Sequence, residues 1–216
     1  LWASRAALAN REFESSIQLS TRLVDRYPNE KRKAAALLVQ GEALVELARL
    51  DEAILVFDRA IIAEGGSEAD RFHARVKKAD ALYAMGADNA TRYAEALEAY
   101  RSIRTGNELT SSGRVSVSFK IARTLEKLKR IDEAMDQYYS RVIIAYRDGR
   151  LQHDYFDDDA RACFSRAAFR LADEYESRGR EMQAVGVLQL LAESDVPAAE
   201  EARKRIDRIS SKGRFL

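Results

Sequence analysis

The sequence predicts an all-α fold, a solenoid of antiparallel helix pairs, and three observations carry that prediction. With 2 Pro and 10 Gly in 216 residues, little in the chain interrupts helix. Apolar residues recur at helical spacing along most of its length. A small residue returns at Ser16, Ala53, Ala96, Ala134 and Ala184, and from the second copy on it is followed four positions later by Phe57, Tyr100, Tyr138 or Leu188. The copies are 37, 43, 38 and 50 residues apart, the period of arrays in which each repeat is one supersecondary unit.

Composition narrows the class. Hydrophobic residues at 46% and charged residues at 33% describe a globular chain, long enough for one domain over 1–216 with a sizeable core. The net charge is +1, from 36 basic and 35 acidic residues. A nucleic-acid binder would show a basic excess or a basic face, so nucleic acid is not expected as a partner. The longest apolar run, 34–39, falls far short of the roughly 20 residues of a membrane span. Cys163 is the only cysteine, which rules out an internal disulfide and reads as a small core residue. The chain begins at Leu1 without a signal peptide and is expected to be a C-terminal piece of a longer protein.

The first copy, 1–29, holds the end of one helix with Trp2 and Leu8. A second helix follows over 12–27, with Phe13, Ile17, Leu19, Leu23 and Val24 near helical spacing. Pro28 ends it, because proline disfavours helical backbone in the residue before it. The second copy, 30–65, is the best formed. Leu37 and Leu44 line the apolar face of its first helix. Gly41, Ala53 and Ala60 let two helix backbones approach closely, and Phe57 fills the gap beyond them. Its corner is expected at Leu50 and Asp51. Gly65 and Gly66 break the pattern, and Ser67 can cap the next helix.

The third copy, 67–105, repeats the pattern with Ala79, Leu82, Ala96 and Tyr100. Ala79 to Ala96 is 17 residues, against 12 from Gly41 to Ala53. Five residues inserted near 86–89 lengthen the corner at little cost in loop entropy. After a polar connector at 105–113 comes the fourth copy, 111–148, with Ala122, Leu125, Ala134 and Tyr138. Arg141 stands where Ala60 would fall, and Val142 carries the apolar side one residue late. A one-residue helical bulge is therefore expected between Tyr138 and Val142. A break over 148–159 precedes the fifth copy, 157–195, marked by Ala168, Leu171, Ala172, Tyr175, Ala184, Leu188 and Leu191, with Gly179 at its corner. A last helix, 197–210, sets Ala199, Ala202, Ile206 and Ile209 on one face and charges elsewhere, as a helix that closes a solenoid against water requires.

On these residues the chain resembles the tetratricopeptide-repeat family over nearly its whole length. Residues 26–61, RYPNEKRKAAALLVQGEALVELARLDEAILVFDRAI, are similar to repeats of bacterial envelope proteins, such as outer-membrane assembly lipoproteins and the periplasmic coordinator of the Tol–Pal system. The resemblance implies a right-handed superhelix of about five repeats and a capping helix. It also implies a non-enzymatic scaffold that binds a protein or peptide in a concave groove lined by the first helices. A structural or self-assembly module is the alternative, and the periplasm is favoured over the cytoplasm.

Within each repeat the resemblance points three positions toward the groove: three before, one after and four after the Gly41-type residue. Projected onto this chain, the first set is Leu38, Val76, Phe119 and Phe169, all apolar. The second is Glu42, Asp80, Arg123 and Asp173, all charged, and the third is Val45, Tyr83, Glu126 and Glu176. An apolar row beside a mostly acidic row suits a segment with apolar anchors and basic flanks. The Lys and Asn with which chaperone-binding members clamp a terminal carboxylate do not occur at these positions.

Residues that could carry chemistry do not assemble into a motif. His73 and His153 have no ligand types at metal-site spacing. Asp157, Asp158 and Asp159 lack the alternating ligands, central glycine and closing Glu of a calcium loop, and read as a cap and first-turn acids of the next helix. No phosphate-binding glycine motif and no activated nucleophile is evident. The expectation is therefore no catalysis, no cofactor and no metal.

Overall fold

A computed structural model describes residues 1–27, 31–104 and 109–212, and every element among them is helical. The chain divides into two compact units, Leu1–Ile103 and Arg104–Leu216. The first is built from α1 (Trp2–Ala9), α2 (Phe13–Arg26), α3 (Lys33–Glu46), α4 (Leu50–Ile61), α5 (Glu68–Met85) and α6 (Thr91–Arg104). The second contains α7 (Ser111–Lys127), α8 (Ile131–Asp136), a π-helical segment Gln137–Ile143, α9 (Ile144–Leu151), α10 (Asp158–Ser177), α11 (Glu181–Ala192) and α12 (Ala199–Lys212). Within each unit most helices adjacent in sequence pack together, α1 through α5 in the first and α10 through α12 in the second, and first helices also touch: α3 meets α1 and α5, and α10 meets α7. The architecture is a solenoid of helix pairs, as the repeat spacing predicts.

One corner geometry recurs in four of the five pairs. Arg11, Ala48, Lys129 and Gly179 adopt φ of 64°, 57°, 61° and 67°. The next N–H donates to the carbonyl five residues back, Glu12 to Ala7, Arg49 to Leu44, Arg130 to Leu125 and Arg180 to Tyr175. This is the left-handed helix stop that satisfies the last carbonyls. That same residue opens the second helix, its carbonyl accepting from Ser16, Ala53, Ala134 or Ala184. The small residue thus always falls five positions after the left-handed one, and all four are buried to 0 or 1% exposure. The third corner differs, and its five extra residues are shared out. α5 runs one residue further past Ala79 than α3 does past Gly41, the turn is two residues longer, and α6 starts two residues earlier before Ala96.

Close approach is tightest in the second pair. A Cβ on Gly41 would sit 2.3 Å from Phe57 Cε1, and Phe57 is fully buried with Leu37, Leu44, Ala53 and Ala60. In the fourth pair the expected bulge is present. The Ile144 N–H donates to the Tyr139 carbonyl, five residues back, so Val142 is buried while Arg141 faces solvent. Ser67 caps α5 by accepting from the Asp70 N–H at 3.0 Å. Asp157 caps α10 by accepting from Ala160 at 2.8 Å.

Three boundaries depart from the sequence reading. Leu50 is the first residue of α4, so the corner lies at 47–49. The polar connector is shorter than expected, because Thr110 caps α7 through the Gly113 N–H and 111–113 are helical. The break assigned to 148–159 begins only after Leu151. Helix persists there because Tyr146 and Gly149 are buried against Phe156, whose Cζ would lie 2.7 Å from a Cβ on Gly149. Pro28 and residues 105–108 lie outside the described residues. Cys163 is buried, and burial pushes its thiol up to about 11, so it is a core residue and not a reactive one.

Candidate functional site

In the first unit the projected groove residues split by burial. Leu38 belongs to the core around Phe57, while Val45 and Val76 are half-buried. Glu42 on α3 pairs with Lys77 of α5 at 2.9 Å. Asp80 accepts from the Tyr100 hydroxyl at 2.5 Å, and the Tyr83 ring packs edge-on against Tyr93 with centroids 5.3 Å apart.

The second unit repeats the scheme. Phe119 is buried against Tyr138, ring centroids 5.7 Å apart. Glu126 accepts from the Tyr138 hydroxyl at 2.9 Å and from Arg170 Nε at 2.5 Å. Burial, then the neighbouring Glu126 carboxylate, pushes the Tyr138 hydroxyl up, so it stays a donor. Arg123 is exposed on α7. Asp173 and Glu176 on α10 both lie 2.5 Å from Arg205 Nη2 of α12. Burial opposes the charge on Arg205, but the two carboxylates outweigh it and raise its pKa.

A ladder results, in which a cation on one first helix reaches a carboxylate on the preceding first helix of the same unit: Lys77 to Glu42, Arg170 to Glu126, Arg205 to Asp173 and Glu176. The sequence reading left these carboxylates open to a basic partner. A signal for their matching exists: Lys77 and Arg170 each stand two residues before the small residue, Ala79 or Ala172. Replacing Arg205 with Ala is expected to cost about 1 kcal/mol. Thermal unfolding should report a fall of about 2–4 °C, smaller in high salt, with faster amide exchange in α12.

Of the apolar row, Val76 and Phe169 remain half-exposed. Phe169 lines a cleft of about 410 Å³ whose apolar walls are completed by Ala162, Pro197 and Ala198, with Asp158, Arg161, Ser165 and Arg166 as its polar lining. A second cleft, about 630 Å³, lies among α2, α3 and α4, with Ile17 and Leu44 on its wall. Leu55 and Ile62 beside it are 65% and 79% exposed. The sequence reading missed this cleft. Its signal is that Leu55 and Ile62, the residue that caps α4, are apolar and seven apart on the side away from Ala53 and Phe57.

Among the described residues no group of three His, Cys, Asp or Glu could hold a metal ion, and no helix is long and apolar enough to cross a membrane. His73 is exposed beside the Phe72 ring. His153 occupies a turn at φ 62°. Asp158 sits 3.8 Å from Arg161.

A family model described as tetratricopeptide repeat matches residues 3–69 and 76–150. The chain belongs to the tetratricopeptide-repeat family. Tetratricopeptide repeats generally mediate protein–protein interactions. The fold is similar to the crystal structure of MamA, with a TM-score of 0.62, 15% identity and coverage of 95% of this chain and 96% of that one. It is equally similar to the structure described as "Podosopora anserina putative kinesin light chain nearly identical TPR-like repeats". There the TM-score is 0.61, identity 15%, and coverage 97% and 92%; a variant of that protein matches at 0.62. At that identity these neighbours speak for the fold alone. No curated protein sequence matches the chain.

Proposed function

We propose that this tetratricopeptide-repeat chain is a non-catalytic scaffold. It holds a protein or peptide segment on the first-helix faces of its repeats, with the principal anchor at the Phe169 cleft. The observation that carries this reading is the contrast along the apolar row. Leu38 and Phe119 are absorbed into packing, whereas Phe169 is half-exposed in a concave, mostly apolar cleft of a size that accepts a large side chain. Elsewhere on the first helices of this unit Glu126, Asp173 and Glu176 are engaged by Arg170 and Arg205, which ties α7, α10 and α12 together. The remaining projected positions, Glu42, Val45, Val76, Asp80, Tyr83 and Arg123, would border the bound segment in their own units.

Affinity capture on the immobilised chain tests the reading. Phe169→Ala should lower recovery of the captured partner about tenfold or more, the effect of removing a buried anchor, with secondary structure intact. Phe119→Ala is not a substitute, because Phe119 is buried and its truncation would cost about 3–5 kcal/mol of stability. Recovery unchanged by Phe169→Ala would reject the cleft as the anchor.

The exposed Leu55 and Ile62 beside the α2–α4 cleft favour a second reading, self-assembly. Light scattering of the chain should show a monomer. A stable dimer that dissociates on Leu55→Glu would replace the scaffold reading.

A further inference from the structure

We infer that the segment held at Phe169 is acidic: a large apolar side chain enters the cleft, and an Asp or Glu within two or three residues of it engages Arg161 and Arg166. This rests on the proposed role of the cleft as the docking site. Charge complementarity carries it. Both cations among the lining residues are guanidiniums, which suit planar two-point recognition of a carboxylate. The carboxylate among the lining residues, Asp158, is fully exposed and 3.8 Å from Arg161, a separation at which a pair in water contributes little.

The Arg161 Nε is buried, and its guanidinium acts on the buried Tyr146 hydroxyl, which burial pushes up while the charges of Arg150 and Arg161 and a hydrogen bond with Arg161 oppose the shift. That contact anchors the side chain, and its Nη1 side, toward Asp158, is what a ligand carboxylate can meet. A basic segment would instead meet Arg161 and Arg166 as like charges. It would find the carboxylates of this unit's first helices, Glu126, Asp173 and Glu176, already paired with Arg170 and Arg205. Like-charge juxtaposition across an interface selects against such a partner.

Fluorescence anisotropy with the full chain and labelled peptides of about twelve residues tests this. Each peptide carries one Phe in a Gly-Ser background, flanked by Glu, Ser or Lys two positions away on each side. The Glu peptide is expected to bind about tenfold more tightly than the Ser peptide at low salt, and the Lys peptide most weakly. The exposed Arg166→Glu should reverse that order without altering thermal unfolding, and Arg161→Gln should weaken the Glu peptide alone. Equal binding of the Glu and Ser peptides, or tightest binding of the Lys peptide, would overturn the inference while leaving the cleft as a docking site. Binding by none of the three, or binding insensitive to Phe169→Ala, would overturn the docking site and the inference with it.

Discussion

Phe57→Ala should cost about 3–5 kcal/mol, a large share of the stability of an ordinary domain. The ring is fully buried, and it occupies the space that Gly41 vacates, with Cε1 only 2.3 Å from where a Gly41 Cβ would be. Truncation leaves a void between α3 and α4 that neither backbone can close. The same contact makes Gly41→Val destabilising from the other side, because a branched side chain must displace the ring or part the helices, at about 1–3 kcal/mol or more. The two sites are coupled. Gly41→Ala combined with Phe57→Leu should lose less stability than the sum of the single changes. Chemical denaturation followed by circular dichroism reads the five variants against the unmodified chain. A loss below about 1 kcal/mol for Phe57→Ala would mean that this close approach does not hold the pair together.

Deleting Arg141 should change stability by about 1 kcal/mol or less, whereas deleting Leu55 should unfold the first unit. Both side chains are exposed, so the contrast comes from the backbone. Each residue turns an α-helix by about 100°. Removing Leu55 rotates Phe57 and Ala60 off the face that Ala53 defines, and the burial of all three is lost. In the fourth pair the π-helical segment already absorbs one residue too many. Without Arg141 the spacing from Ala134 through Tyr138 to Val142 becomes that of Ala53, Phe57 and Ala60. The segment relaxes to regular helix, and Ile143 and Tyr146 keep their phase. Circular dichroism and thermal melts of the two deletions decide it. Equal damage from both would show that the extra residue is not a local bulge.

Helical phase also decides what could be read from the chain alone. Helix pairs, the caps at Ser67 and Asp157 and the bulge after Tyr138 are local consequences of spacing and residue type. The left-handed corners at Arg11, Ala48 and Lys129 are not, because residue type announces such a backbone only at Gly179. The persistence of helix through Gly149 depends on Phe156 and Phe164, whose ring centroids lie 4.4 Å and 4.2 Å from that of Tyr146. Those contacts come from a later stretch of sequence. At the groove, Phe119 and Phe169 share one register, yet Tyr138 covers the first while the matching position in the fifth pair is the shorter Leu188. The ion-pair ladder was written in the register of Lys77 and Arg170. Reading it requires knowing which first helix lies next to which, and that is a property of the stacked pairs.

A photo-crosslinking residue, p-benzoylphenylalanine, placed in the full chain at position 169 or at position 62 tests the central claim most directly. Crosslinking of the captured partner is expected from position 169 on the first-helix face and not from position 62 at the C-terminal end of α4. Crosslinking from position 62 with none from 169 would contradict it and move the binding surface to the opposite helices of the repeats.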